Sequence, residues 1–353
     1  MYPRLIVDTA KIAKNVQTIT SLCKEHGINV VGITKGVCGD EKIARIFAEN
    51  GVCALGDSRV QNLKKYANLP IKKWLIRTPQ ISEAQDVVRF ADISLNTQPE
   101  TLEALNAACT SANVEQHGII LLQDLGDLRD GFVDEDELVT AAQKIKELPH
   151  LYLAGIACNL TCLSFIKAST EKLEQLLETA KHVKEATGAQ DLIISGGNSG
   201  TLKLALEGGA PEGVNNLRLG ESLLIGKERD SYTYLPNTCK DTFILQAEIV
   251  ELKKKPSLPW GEVNADSFGN IASFEDRGQQ WRAILAIGNQ DCAPGVMEPL
   301  DESVRLVGNS CDHLVCELDQ ADKYKVGDII EFRCGYHAFL HALTSEYVEK
   351  VYK

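Results

Sequence analysis

The stretch Val30-Val31-Gly32-Ile33-Thr34-Lys35-Gly36-Val37-Cys38-Gly39 places a single lysine at the C-terminal end of an apolar run and follows it at once with a glycine-bounded loop. Apolar runs of about four to eight residues bounded by turn residues read as strands covered on both faces. In barrel enzymes the reactive groups sit on the loops that leave such strand ends. Lys35 is therefore a candidate nucleophilic amine, because an amine held in a partly desolvated pocket loses its proton more easily and can condense with an aldehyde. Taken alone, the pattern is the ordinary one of a surface lysine in a strand-to-helix loop.

Outward from Lys35 the chain alternates. An extended segment at residues 5–7 precedes a helix in which Ile12, Val16, Ile19 and Leu22 recur at helical spacing, with Asp8 and Thr9 as caps. Strands read at residues 28–34, 52–56, 74–76, 93–95, 118–122, 151–156, 192–194 and 216–219. Helices lie between them at 41–50, from 58, after 82, and at 99–111, 134–147, 165–187 and 201–207. Eight strand-plus-helix units in about 200 residues match an α/β fold of the (β/α)8 TIM-barrel type, with a doubly wound sheet as the alternative. After Pro236 short β-branched stretches separated by Gly, Pro and Asp replace the helical periodicity, which reads as a smaller C-terminal all-β domain. The expected division is a barrel over residues 8–235 and a β domain over 236–353 together with 1–7. Lys253-Lys254-Lys255 reads as a solvated turn.

With 353 residues, 44% of them hydrophobic and 24% charged, the chain is long enough for two domains. A net charge of -12 argues against unspecific attraction to nucleic acid or to an anionic membrane. Met1-Tyr2-Pro3-Arg4 carries no basic-then-apolar signal, and no run reaches the ~18 apolar residues of a membrane span, so a soluble cytoplasmic protein is expected. The eleven cysteines are odd in number and scattered. Neither Cys158 with Cys162 nor Cys311 with Cys316 has the two-residue gap of a zinc knuckle, so the thiols read as reduced core residues with no metal site.

Three further segments carry chemistry. Ser195-Gly196-Gly197-Asn198-Ser199-Gly200-Thr201 follows the seventh strand; small residues there let backbone N–H groups approach an anion, and barrels place phosphates on the loops after strands seven and eight. A glycine-rich turn capped by Ser199 is the plainer reading. Arg218 sits in the eighth strand between Leu217 and Leu219, and a charge so placed needs a partner or an open end. It makes either a structural ion pair or a donor to a cofactor's ring nitrogen, which an arginine would leave unprotonated. Arg129, within Asp124-Leu125-Gly126-Asp127-Leu128-Arg129-Asp130-Gly131-Phe132, either forms a surface ion pair or holds an oxyanion.

Together these residues resemble the alanine-racemase-like family of pyridoxal 5'-phosphate enzymes, barrel first and β domain second, over nearly the whole chain. Within it the ornithine-racemase-like branch is the nearest pattern, through Leu217-Arg218-Leu219-Gly220-Glu221-Ser222, Asn159-Leu160-Thr161-Cys162 and Asp312-His313-Leu314. The resemblance implies that Lys35 carries the cofactor, Arg129 contacts its phenolate, and Asn159 stands near the ring where alanine racemases have a histidine. It further implies that Asn198-Ser199 form the phosphate turn, Arg218 lies under the pyridine nitrogen, and Gly220 and Glu221 offer backbone donors. It implies a homodimer acting on a small amino acid, ornithine first and lysine next, with the site at the subunit interface. One departure stands out. Where the family places a tyrosine as the base for the second face, in a turn of the partner's β domain, this chain reads Gly288-Asn289-Gln290-Asp291-Cys292, and an amide cannot shuttle a proton. Asp291, Cys292 and His313 are the titratable substitutes. A distal ammonium on the substrate would want Glu221, Asp127, Asp291 or Asp312. A decarboxylase on the same two domains, or a cofactor carrier without turnover, are the other readings; the roughly 120 residues beyond a barrel speak against the carrier.

Overall fold

The computed structural model describes residues 1–264 and 274–353, and the chain divides into two compact units, Thr9–Thr242 and Met1–Asp8 with Phe243–Lys353. In the first, eight parallel strands close on themselves: Asn29–Ile33, Ala54–Asp57, Lys73–Leu75, Ile93–Asn96, His117–Gln123, Leu151–Cys158, Ile193–Ser195 and Asn216–Leu219. The last pairs with the first, Asn29 opposite Asn216 and Gly32 opposite Leu219, so the sheet is a barrel and not the open, doubly wound alternative.

Parallel strands are covered on both faces, which is why they read as continuous apolar runs. Val31, Ile33, Trp74, Ile93, Leu95, Ile120 and Leu122 form one buried cluster from these strands. A filled barrel leaves room for charge only at its ends. Strand spacing is kept where a side chain would intrude: a Cβ on Gly155 would stand 2.1 Å from the Ile193 carbonyl oxygen on the paired seventh strand.

The connecting helices start at polar caps. Asp40 accepts from Ile43 N at 3.0 Å, Asp134 from Asp136 N and Glu137 N, and Ser169 from Lys172 N. The last of these corrects the expected helix over 165–187, which runs Thr170–Thr187. Phe165 has a φ of 57°, outside the helical region, and Asp127 draws the N–H groups of Cys162, Leu163 and Ser164 into a loop instead.

The second unit is an antiparallel sheet in the order Met297–Pro299, Ile329–Cys334, Phe243–Pro256, Gln279–Leu285, Leu314–Leu318, Val304–Asn309. Arg4–Val7 lies antiparallel to Phe243–Pro256 and parallel to Glu349–Tyr352. It also holds a nine-residue helix, Tyr336–Thr344, whose Phe339 stacks on Phe243 with ring centroids 4.4 Å apart. Lys253-Lys254-Lys255 lies inside the long strand and not in a turn, because the two-residue period puts Lys253 and Lys255 on the face of Glu251, with which both pair. Among the described residues no two cysteines are joined, and no helix is long and apolar enough to cross a membrane.

Candidate active site

Lys35 opens a single 3-10 turn, Lys35–Val37, directly after the first barrel strand. The turn is locked from both sides. Cys38 at φ 54° returns its N–H to the Lys35 carbonyl, and Gly39 at φ +65° passes so close to Asn62 that a Cβ would meet the Asn62 Cβ at 2.6 Å. The Lys35 side chain is reached by solvent, yet protein atoms crowd its ammonium closely enough to desolvate it. That burial pulls its ammonium below the usual range; the Arg129 and Arg229 charges pull the same way, while Cys162 and Asp57 oppose them. The amine is thus drawn toward its neutral, nucleophilic form.

Arg218 is 5% exposed, and its pairing is with neutral groups, not with an acid: Nη1 donates to Ser195 Oγ at 2.6 Å and Nη2 to the Cys158 carbonyl at 2.7 Å. Ser195 Oγ in turn donates to Asn216 Oδ1 at 2.7 Å, so the guanidinium is fixed from three strands. Only two of the five N–H donors of an arginine are taken up this way. Arg129 binds Asp130 through Nε at 2.7 Å and stays partly exposed. The Asn159 amide stands between Arg129 and the glycine-rich turn. In one orientation it accepts from Asn198 Nδ2 at 3.1 Å, and in the other from both terminal nitrogens of Arg129 at 3.2 Å.

Asn198 ties the turn to the loop after the sixth strand, donating to the Leu160 carbonyl at 2.8 Å while its Oδ1 accepts from Gly200 N at 2.7 Å. Ser199 is buried beside it. The turn has no space for side chains at its glycines: a Cβ on Gly197 would lie 2.5 Å from Thr201 Oγ1, and one on Gly200 2.6 Å from Thr161 Oγ1. A cradle of bare backbone results. Next to it Gly220 enters a short helix, and the hydroxyl of wholly buried Ser222 finds no partner in the protein. Leaving such a hydroxyl unpaired costs about 1–3 kcal/mol. An amine and guanidinium groups around a backbone-lined cradle, with a spare buried donor beside it, fit an aldehyde that carries a phosphate. Glu221 lies 3.5 Å from Arg229 Nε, and burial raises its carboxyl while Arg229 and Lys227 lower it.

Lys35, Arg129, Asn159, Asn198, Ser199, Arg218, Gly220 and Glu221 all belong to the barrel unit, and Asp291 and His313 to the other. There the turn after Gly288 is held by Asn289 N donating to the Ser310 carbonyl at 2.8 Å. Asp291, Asp312, His313, Gln290 and Tyr347 line a cavity of about 650 Å³. Asp291 Oδ1 accepts from Ser345 Oγ at 2.6 Å, whereas the His313 ring is exposed. Cys292 drops out as an acid–base group, because burial pushes its thiol up to about 12 and keeps it protonated at neutral pH. Asp127 likewise drops out as an ammonium site: almost fully buried, its two oxygens are spent on the backbone of residues 162–164.

Two neighbours of Lys35 escape the sequence reading. Arg229 donates its N–H to the Ser199 carbonyl at 3.4 Å, and nothing in its local sequence marks it. Asp57 ends the second barrel strand, one residue past the stretch read as extended, so the strand-end position that marked Lys35 was its available signal.

The sequence profile of the family described as alanine racemase, N-terminal domain, matches residues 7–227. The chain is 41% identical over 351 residues to an ornithine racemase of Acetoanaerobium sticklandii, with 99% of each chain covered. It is 33% identical over 357 residues to a lysine racemase of Thermotoga maritima, covering 100% of this chain and 99% of that one. In fold it is similar to the crystal structure of alanine racemase from Streptomyces lavendulae, with a TM-score of 0.75 at 16% identity, 100% of this chain and 98% of the other being covered.

Proposed function

The chain belongs to the alanine racemase family and is a pyridoxal-phosphate-dependent amino-acid racemase, and on that premise we propose that it interconverts the L- and D-forms of a small basic amino acid, ornithine before lysine. The observation that carries the site assignment is the gathering of Lys35, Arg129 and Arg218 with the glycine cradle of residues 196–200 at one end of the barrel. Lys35 would hold the cofactor's aldehyde carbon, and the backbone of residues 197–199 with Gly220 and Glu221 would hold its phosphate. Arg218 would face the ring nitrogen and leave it unprotonated, Arg129 would face the phenolate, and Asn159 would bridge Arg129 to the cradle. When bound, the cofactor supplies an electron sink conjugated to the substrate's Cα.

Lys35 then takes or returns the Cα proton on one face. The opposite face needs a second group, and His313 suits it best: its ring is exposed and an imidazole can both take up and give back a proton. Asp291 is the alternative, although its carboxylate already accepts from Ser345. The enzyme would be a homodimer, each barrel receiving these groups from the β unit of its partner. With Asp127 spent on backbone and Glu221 beside Arg229, Asp312 and Asp291 remain to receive a substrate's distal ammonium.

Chiral chromatography of purified protein with pyridoxal phosphate and L-ornithine or L-lysine tests this reading. D-ornithine should accumulate to an equal mixture, and faster than D-lysine. Cofactor bound with no D-enantiomer formed from either diamino acid would overturn the substrate assignment.

A further inference from the structure

The carboxyl of Asp57 is wholly buried and has no part in the chemistry above. It ends the second barrel strand, beside the strand that delivers Lys35, with Ile33 opposite Gly56. Asp57 Oδ2 accepts from Thr34 Oγ1 at 2.7 Å, and Oδ1 accepts from Asn62 Nδ2 and Arg59 N at 3.0 Å each. The Thr34 hydroxyl also meets the Tyr66 hydroxyl at 2.8 Å, and Thr34 and Tyr66 are as fully enclosed as Asp57.

An ionised carboxylate sealed in this way is costly unless hydrogen bonds and positive charge compensate it. Three donors supply the first. Lys35, the chain neighbour of Thr34, supplies the second, although burial outweighs both and holds the carboxyl above its usual range. We propose that Asp57 is the counter-charge of Lys35: a positioning residue whose carboxylate fixes, through Thr34, the turn that carries the amine, and sets the pH at which that amine is nucleophilic.

The groups that face Lys35 come from four directions. Asp57 stands on the second strand, Arg129 on the loop after the fifth, Cys162 on the loop after the sixth, and Arg229 beyond the eighth. Burial and the two guanidinium groups favour loss of the proton. Asp57, with Cys162 when ionised, favours its retention. Tyr66 stays neutral, since burial holds its phenol far above the usual range. The balance matters because one amine has opposed duties: it must be neutral to attack a carbonyl and charged after it has taken a proton from Cα. Removing Asp57 would tilt it toward the neutral form.

This inference rests on Lys35 as the cofactor-bearing amine, but its test reads the amine itself in the cofactor-free full-length protein, so the two can fail separately. Competitive labelling with trace acetic anhydride across a pH series, with the Lys35 peptide quantified by mass spectrometry, gives the midpoint of amine titration. Asp57→Asn should lower that midpoint by roughly one pH unit, the size expected for losing a nearby opposite charge. Asp57→Glu should restore most of it. Thr34→Val, which keeps the carboxylate but removes a donor, should move the midpoint the same way by less, and it keeps the test open if Asp57→Asn does not fold. A midpoint unchanged in a folded Asp57→Asn or Thr34→Val protein, or raised in either, would overturn the proposal.

Discussion

At the scale of single residues, charge at strand ends was the readable signal. Lys35 and Arg218 stand out because each interrupts an apolar run, and the barrel can take a charge only at its ends. What Arg218 binds was not readable: its acceptors Ser195 Oγ and Cys158 O come from other strands, brought near by barrel closure alone. Asp57 was missed for a related reason, since an aspartate after a glycine reads as a turn until the paired strand is seen. Arg218→Lys keeps the charge but loses the planar fork that reaches two acceptors at once. A lost charged hydrogen bond of about 1.5–3 kcal/mol corresponds to roughly a 10- to 100-fold fall in kcat. Steady-state kinetics should show that fall with a smaller change in KM; an unchanged kcat would remove Arg218 from the chemistry.

At the scale of elements, the existence of every barrel strand was legible and the boundaries less so. Periodicity locates a buried strand but does not say where its last hydrogen bond falls, as Asp57 and Cys158 illustrate. The helix expected from residue 165 starts at Thr170 because Asp127, distant in sequence, claims the backbone before it. In the fifth strand His117 is wholly buried, its ring nitrogens meeting Ser94 Oγ at 2.8 Å and the Ala91 carbonyl at 3.1 Å. Burial lowers its pKa to about 4, against the pull of Ala91 and Asp92. Because the folded value lies below the unfolded one, the associated stability is present above pH ~6.5 and is lost as pH falls toward 4. The full loss is roughly 3 kcal/mol. Urea unfolding at pH 7 and near pH 4.5 should show this fall in the native protein and a shallower one in His117→Gln; equal slopes would show that other groups dominate.

At the scale of the whole molecule, the chain is acidic, with a net charge of -12, while the barrel site gathers Lys35, Arg129, Arg218 and Arg229. Composition therefore said little about the ligand's sign, and local placement decides it. The second unit joins both chain ends, with Arg4 opposite Gln246 and Glu349, a pairing no local window of sequence carries. Its helix Tyr336–Thr344 and strands Met297–Pro299 and Glu349–Tyr352 are short and lack a clear period, so they were not legible. The central claim, an amine at the barrel mouth that captures the aldehyde, can be read directly: the protein is incubated with pyridoxal phosphate, reduced with borohydride, digested, and the labelled peptide sequenced by mass spectrometry. The account predicts one pyridoxyl group on Lys35 and none in Lys35→Ala; a label on another lysine, or undiminished labelling of the variant, would contradict it.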